Sequence, residues 1–193
     1  MTLLTVDQTL TGALYELTGH NVELQRVIYV TATYLIFLLP IVLLYLAWKP
    51  STRVVAAKIL VFVLITWQII SKFAGEFFYF QYGFRDRPFA LSGLRELLFE
   101  QPQKSFPSDH AAVLLFVTLT LFRYRQTGWA WVFLAVTILS SVARVAVGFH
   151  WVGDIVGGWL VAMLGFGLMI WLEQPMEKLR DRIAQLFGAK LRG

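Results

Sequence analysis

Three short stretches of this chain hold the residue types that chemistry on an anion would use. The first is Arg85-Asp86-Arg87-Pro88, the second Pro107-Ser108-Asp109-His110, and the third Arg144 followed by His150 and Asp154. Arginine presents a planar fork of donors matched to phosphate or carboxylate oxygens, so Arg87 and Arg144 suit an anion clamp. Pro107-Ser108-Asp109 reads as a helix start, where free backbone N–H groups and the helix dipole attract negative charge. Proline is tolerated there because its missing N–H has no intrahelical use, and Ser108 adds a hydroxyl donor. If a helix opens near His150, Asp154 follows one turn later on the same face. A carboxylate beside an imidazole fixes its tautomer and stabilises the imidazolium, leaving the second ring nitrogen to attack. His110 can then protonate a departing oxygen. Two histidines, two arginines and one aspartate suffice for phosphoryl transfer without a metal ion.

Each stretch also has a plainer reading. Arg144 can cap a helix or reach lipid headgroups. His150 and Asp154 can be a structural i,i+4 pair, and Pro107-Ser108-Asp109 can be no more than an N-cap. What separates the readings is whether the rest of the chain brings the three stretches to one place.

The rest of the chain is strongly apolar. Of its 193 residues, 58% are hydrophobic and 15% charged, with a mean hydropathy of +0.64. Soluble domains carry about 45–50% apolar and about 25% charged residues, and a chain of this size has too little interior to hide the excess. Lipid is the natural solvent. The length suits a single domain over residues 1–193. The absence of cysteine excludes disulfides, thiolate nucleophiles and cysteine metal sites. Met1 to Thr11 lacks a basic n-region and an apolar run, so it does not read as a cleavable signal peptide.

A spanning helix needs about 20 mostly apolar residues. Such segments run from Val27 to Trp48, from Val54 to Phe73 with an extension to Phe80, from Gly128 to Val147 and from Val152 to Leu172. A shorter one runs from Ser108 to Phe122. Leu10 to Leu17 reads as a short amphipathic helix in the interface, and Glu177 to Gly193 as a basic, amphipathic, cytoplasm-facing tail helix. The expected fold is an all-α polytopic membrane bundle of five or six helices with a short amphipathic N-terminal helix.

If the chain begins outside, the inner segments hold Lys49, Arg53, Lys58, Arg123, Arg125, Lys178, Arg180, Arg182, Lys190 and Arg192, ten of the 17 basic residues. The outer side holds Arg26, Arg85, Arg87, Arg95, Lys104 and Arg144. That bias puts the polar stretch from Gln81 to Pro107 on the extracytoplasmic face of an inner (plasma) membrane. The net charge of +5 is thus explained by topology, and no nucleic-acid partner is expected. Trp48, Trp129, Trp151 and Trp171 fall near span ends and read as interface anchors. His20 stands before the first span, in no motif, and reads as a surface residue.

The three stretches together resemble the signature of the type 2 phosphatidic acid phosphatase superfamily. Its pattern is a lysine and an Arg-Pro, then Pro-Ser-Gly-His, then Ser-Arg-x5-His-x3-Asp, and the resemblance covers Lys72 to Gly158. It implies that His150 is the nucleophile of a phosphohistidine intermediate, with Asp154 orienting it. His110 becomes the acid toward the leaving group and then the base for water, while Arg87, Ser108 and Arg144 hold phosphate oxygens. It implies no metal and no cofactor.

Three positions depart from the pattern. Phe80 stands where the family lysine would; Lys72 is the nearest upstream lysine, and Arg85 offers a second replacement for its charge. Lys72 and Glu76 are also spaced for an ordinary ion pair. Ala143 replaces the serine before Arg144. Asp109 replaces the glycine, and because its charge would repel phosphate, it is expected to cap the helix or hold His110.

Phe106 to His110, Arg85 to Phe89 and Val147 to His150 are similar to bacterial undecaprenyl-diphosphate phosphatases of this superfamily, which regenerate the carrier lipid for wall synthesis. The implied partner is a lipid phosphate or pyrophosphate in the membrane. Phosphatidylglycerophosphate, phosphatidate and lipid A phosphate are alternative substrates. Haloperoxidases, which hold vanadate in the same anion site, fit less well with a short, hydrophobic chain. A lipid transporter gripping headgroups with its arginines needs no nucleophile and predicts repeats or broken helices, of which the sequence has no sign. A structural adaptor leaves the histidine pair unexplained.

Overall fold

The computed structural model describes residues 3–18, 22–83, 85–88 and 105–190, and those residues form six helical rods. The first is α1, Leu3–Thr18. The second starts as α2, Val22–Tyr34, tightens through a 3-10 turn at Leu35–Phe37 and continues as α3, Leu38–Trp48. Pro40 falls in the first turn of α3, where a missing N–H costs nothing. The third rod is α4, Arg53–Ile65, joined by a π-helical turn at Thr66–Ser71 to α5, Lys72–Tyr82. Then come α6, Asp109–Arg123, α7, Thr127–Ala146, and α8, Val152–Lys190.

Four of these rods are long and apolar enough to cross a membrane: Val22–Trp48, Arg53–Tyr82, Thr127–Ala146 and Val152–Pro175. Their outward faces carry large apolar side chains that water would not tolerate in such number, among them Trp48 at 83%, Phe80 at 84% and Trp171 at 72% exposure. This is the surface of a multi-pass membrane protein, and the expected all-α bundle is what the chain forms. The 15 residues of α6 span about 22 Å, less than the apolar layer of about 30 Å. That helix is instead the hub, packed between α7 and α8, with Leu114, Phe116, Val117 and Leu121 fully buried. Its hydroxyls are satisfied in place: Thr118 and Thr120 donate to the carbonyls of Leu114 and Phe116, both at 2.8 Å, and Thr118 meets Thr137 of α7 at 3.0 Å.

Several boundaries differ from expectation. The first membrane rod begins at Val22, five residues before the apolar run, and α1 begins at Leu3, seven residues before Leu10, and ends at Thr18. The last span and the tail are one helix through Pro175, with no glycine or capping sequence between Leu172 and Glu177 to end it. That helix opens at Val152, so His150 precedes it. Trp48 and Trp171 face outward as anchors do, whereas Trp129 packs against Tyr45 with ring centroids 5.5 Å apart. His20, Arg95 and Lys104 lie outside the described residues.

Candidate active site

Asp154 organises one end of the bundle. It is the third residue of α8, and its Oδ2 accepts the Trp151 backbone N–H at 2.9 Å, the reach-back bond of a capping box. The same oxygen accepts the Ser105 hydroxyl and stands 3.4 Å from Nδ1 of His150. Its backbone carbonyl accepts the N–H of Ser108 at 3.0 Å. That last bond ties the start of α6 to the start of α8, and with it the second stretch to the third. Gly158 lets the two helices meet, since a Cβ there would stand 2.5 Å from the Ser108 carbonyl oxygen.

Arg144 reaches the same place from the last turn of α7. The chain leaves α7 by a tight turn in which Phe149 and His150 N–H groups point back to the Arg144 carbonyl at 2.9 and 3.3 Å. Gly148 sits in that turn at φ +76°, a conformation glycine adopts without steric cost. The turn brings His150 Nε2 to 3.3 Å from Arg144 Nη2, while Nη1 of the same arginine donates to the Ala32 carbonyl of α2 at 3.0 Å. Arg87 donates to the Phe149 carbonyl at 3.0 Å. Asp154, Arg144 and His150 are 0%, 2% and 3% exposed.

The tautomer of His150 follows from its neighbours. A guanidinium has only donors, so Nε2 must present a lone pair to Arg144, and the ring proton sits on Nδ1, facing Asp154. Burial pushes this imidazole down to about 4; Arg144 and Arg87 push the same way, and Asp154 opposes them. At neutral pH the ring is uncharged. His110, in the first turn of α6, lies within electrostatic reach of Arg144, His150 and Arg87. Its Nε2 and the Ser108 hydroxyl are buried with no hydrogen-bond partner among the described residues.

The structure therefore gathers His110, His150, Asp154, Ser108, Arg87 and Arg144 at one end. Arg85 joins differently: its guanidinium pairs with Asp7 of α1, lies 4.5 Å over the Trp151 ring and stands 3.6 Å from Asp154 Oδ1. Lys72 is exposed on α5, with no contact to the cluster and no ion pair to Glu76 among the described residues. Asp109 accepts a hydrogen bond from Ser71, at the end of the π-helical turn.

The sequence profile of the PAP2 superfamily matches residues 56–177, more than half of the chain. The chain belongs to the PAP2 superfamily. Among PAP2 relatives, it is 29% identical to undecaprenyl-diphosphatase BcrC of Bacillus subtilis (strain 168) over 107 residues, 55% of this chain and 54% of that one. It is 25% identical to the bacitracin transport permease protein BcrC of Bacillus licheniformis over 166 residues, 83% of this chain and 77% of that one. The chain thus matches about half the length of the first relative. A crystal structure of a PAP2-type phosphatidylglycerolphosphate phosphatase from Bacillus subtilis shares the fold, with a TM-score of 0.63 at 18% identity over 90% of this chain and 87% of that one.

At this PAP2 site Ser105, Asp7 and Thr11 carried no signal that single-sequence reading would single out, and Trp151 was legible only as an interface anchor. Ser105 and Trp151 hold Asp154 from either side, and the Trp151 indole donates to the Asp86 carbonyl at 2.7 Å, so Trp151 braces the site as well as standing at a span end. Asp7 and Thr11 come from α1, nearly 150 positions away in sequence.

Proposed function

We propose that this chain is a membrane lipid phosphatase that hydrolyses a polyprenyl diphosphate, undecaprenyl diphosphate above all, to the monophosphate and inorganic phosphate. One observation carries the reading: His150 is held with Nδ1 on Asp154 and its Nε2 lone pair facing the Arg144 guanidinium. The names of the relatives support the substrate class, and the apolar exterior suits a substrate that never leaves the membrane.

In this reading the terminal phosphoryl group lies between Arg87, Arg144, the Ser108 hydroxyl and the start of α6. His150 Nε2 attacks phosphorus, and the bond from phosphorus to the bridging oxygen breaks. Burial and then the neighbouring arginines hold the His110 imidazole well below its ordinary value before substrate binds. The charge of the bound phosphate lets it carry a proton, which it gives to that oxygen as the lipid monophosphate departs. The imidazolium is stabilised by Asp154 through Nδ1–H. His110, now neutral, takes a proton from water as the water oxygen attacks phosphorus. The N–P bond breaks, phosphate leaves, and both rings return to their starting state. Preorganised cationic donors around the equatorial oxygens supply the transition-state stabilisation, so the reaction is proposed to run without a metal ion or cofactor.

The reading includes an inner-membrane location with the site on the extracytoplasmic face. Lys49, Arg53, Arg123 and Arg125 flank the opposite ends of the helices, which supports that orientation. Because the chain has no cysteine, Asp86→Cys and Thr127→Cys give single labels; an impermeant maleimide should modify the first in intact cells and spare the second.

The decisive assay is phosphate release by the purified protein from undecaprenyl diphosphate, phosphatidylglycerophosphate, phosphatidate and lipid A, each with and without EDTA. Release that EDTA abolishes overturns the metal-free mechanism, and a preference for another lipid replaces the substrate. A second reading, transport, takes support from the name of the B. licheniformis relative. Lipid or drug transport that survives in His150→Ala would favour it.

A further inference from the structure

The start of α8 lacks an N-cap of its own. The N-cap position is Trp151, whose side chain has no oxygen to receive the first N–H groups of the helix. Two residues of α1 receive them instead. Thr11 Oγ1 accepts the Val152 N–H at 3.2 Å, and Asp7 Oδ1 accepts the Gly153 N–H at 2.8 Å. Thr11 is buried, and Gly153 makes room for the approach, since a Cβ there would stand 3.0 Å from Asp7 Oδ2. That second oxygen of Asp7 pairs with Arg85.

The consequence falls on Asp154. Arg85 lies between two carboxylates, and it makes its close contact with Asp7 while standing 3.6 Å from Asp154 Oδ1. A direct fork from Arg85 onto Asp154 would draw that carboxylate's charge away from the His150 imidazole. We propose that α1 is a positioning element of the site: Asp7 and Thr11 cap α8 from outside, and Asp7 holds Arg85 back so that Asp154 serves His150. The proposal rests on the reading of His150 and Asp154 as the reacting pair.

Four charged or titratable groups face His150 from the surrounding elements: Arg144 from α7, Arg87 from the loop after α5, Asp154 from α8 and His110 from α6. Asp7 reaches it through Arg85 and Asp154 alone. Asp7→Asn keeps an acceptor for the Gly153 N–H and removes the charge that detains Arg85. Its expected effect is a roughly tenfold fall in kcat with KM little changed, the size of loss that follows from a small misplacement of a catalytic pair. The acid limb of the kcat–pH profile should also move to lower pH, because Asp154 now supports the imidazolium less. Asp7→Glu should recover more activity than Asp7→Asn.

The test uses the full chain in detergent micelles with undecaprenyl diphosphate as probe, alongside His150→Ala. If wild type and His150→Ala release phosphate equally, the reading of the reacting pair fails. If His150→Ala is dead while Asp7→Asn matches wild type in kcat and pH profile, only the role of α1 fails. Should Asp7→Asn not fold, Thr11→Val decides: a lowered kcat at unchanged KM supports positioning, and wild-type kinetics overturn it.

Discussion

The two ends of the bundle each gather charge, and they handle it in opposite ways. Nineteen residues of α8 separate Asp154 from Glu173, about 28 Å along the helix, so the clusters sit at opposite faces of the apolar layer. At the Glu173 end one carboxylate is shared by Lys58 at 2.9 Å, Arg123 at 3.2 Å and the Tyr124 hydroxyl at 2.7 Å. Those contacts link α4, α6 and α8, and the charges close on one another. At the His150 end, Arg87 and Arg144 donate to the carbonyls of Phe149 and Ala32, which orient the two guanidiniums. The Ser108 hydroxyl and His110 Nε2 are buried there with no partner among the described residues. Burying charge is costly unless something compensates it. One cluster closes on a single shared carboxylate, whereas the other keeps a hydroxyl and a ring nitrogen unpartnered among the described residues.

The largest expected difference between the ends is chemical. His150→Ala should lower kcat for phosphate release by at least about a thousandfold, because it removes the group proposed to form the covalent bond. Phosphate release surviving in this variant within about tenfold of wild type would break the contrast between the two ends. A single-turnover experiment with substrate labelled in its terminal phosphate should also show an acid-labile, base-stable protein-bound label in wild type alone.

Arg144→Lys sharpens the same contrast at constant charge. Lysine keeps the cation and loses the fork that now joins the Ala32 carbonyl to His150 Nε2. A fall in kcat/KM of about a hundredfold is expected, the size typical of a lost transition-state donor. A loss no greater than about twofold would mean that net positive charge, rather than the fork, is what the site needs.

These expectations were legible in the sequence because each motif is local: the spacing of Arg144, His150 and Asp154 is a turn plus the start of a helix, and Pro107-Ser108 marks another. The apolar runs likewise announced the bundle. What stayed illegible is what distant chain segments do to one another. The bond from Ser108 N–H to the Asp154 carbonyl, which makes two motifs one site, depends on Gly158, an unremarkable glycine until α6 is seen lying on it. The cap that α1 places on α8 has no periodicity to betray it. The i,i+4 argument for His150 and Asp154 reached the correct neighbour for the wrong reason, since His150 lies before the helix and is turned back by the loop at Gly148. Asp109 was expected to cap α6 or hold His110, and it meets Ser71 instead, because the π-helical turn brings that hydroxyl to it.

Acid should also distinguish the ends through His150. The unfolded chain takes up a proton on this ring near its ordinary value of about 6.5, whereas the folded chain refuses it until about 4. The stability that comes from keeping the ring neutral is complete above that ordinary value and shrinks as the pH falls toward 4. Going from pH 6.5 to pH 5 should therefore cost about 2 kcal/mol through this one buried group. His150→Gln should flatten the dependence of the unfolding midpoint on pH across that window. An identical slope in the variant would mean that burial of this ring does not govern acid sensitivity.

Removing the far carboxylate tests the other half of the comparison. Glu173→Gln leaves Lys58 and Arg123 facing a neutral amide, so the unfolding midpoint should drop by an amount corresponding to about 1–2 kcal/mol, a value reduced for the partial exposure of Arg123. Activity per folded molecule should stay within about twofold, because the cluster is a membrane thickness away from the reacting atoms. A large fall in kcat at unchanged stability would show that the two ends are coupled.

The smallest effect is expected at Lys72, which resemblance made a candidate for the phosphate clamp. The structure leaves it exposed on α5, apart from the cluster and unbridged to Glu76. The positive charge nearest Asp154 on that side of the site comes from Arg85, which α1 and Trp151 hold in place. If Arg85 has taken over the position in which relatives use a lysine, Lys72→Ala should change kcat/KM by no more than about twofold, while Arg85→Ala in the same assay changes it far more. A loss of tenfold or more in Lys72→Ala would mean that α5 swings inward when substrate binds, carrying this lysine to the phosphate.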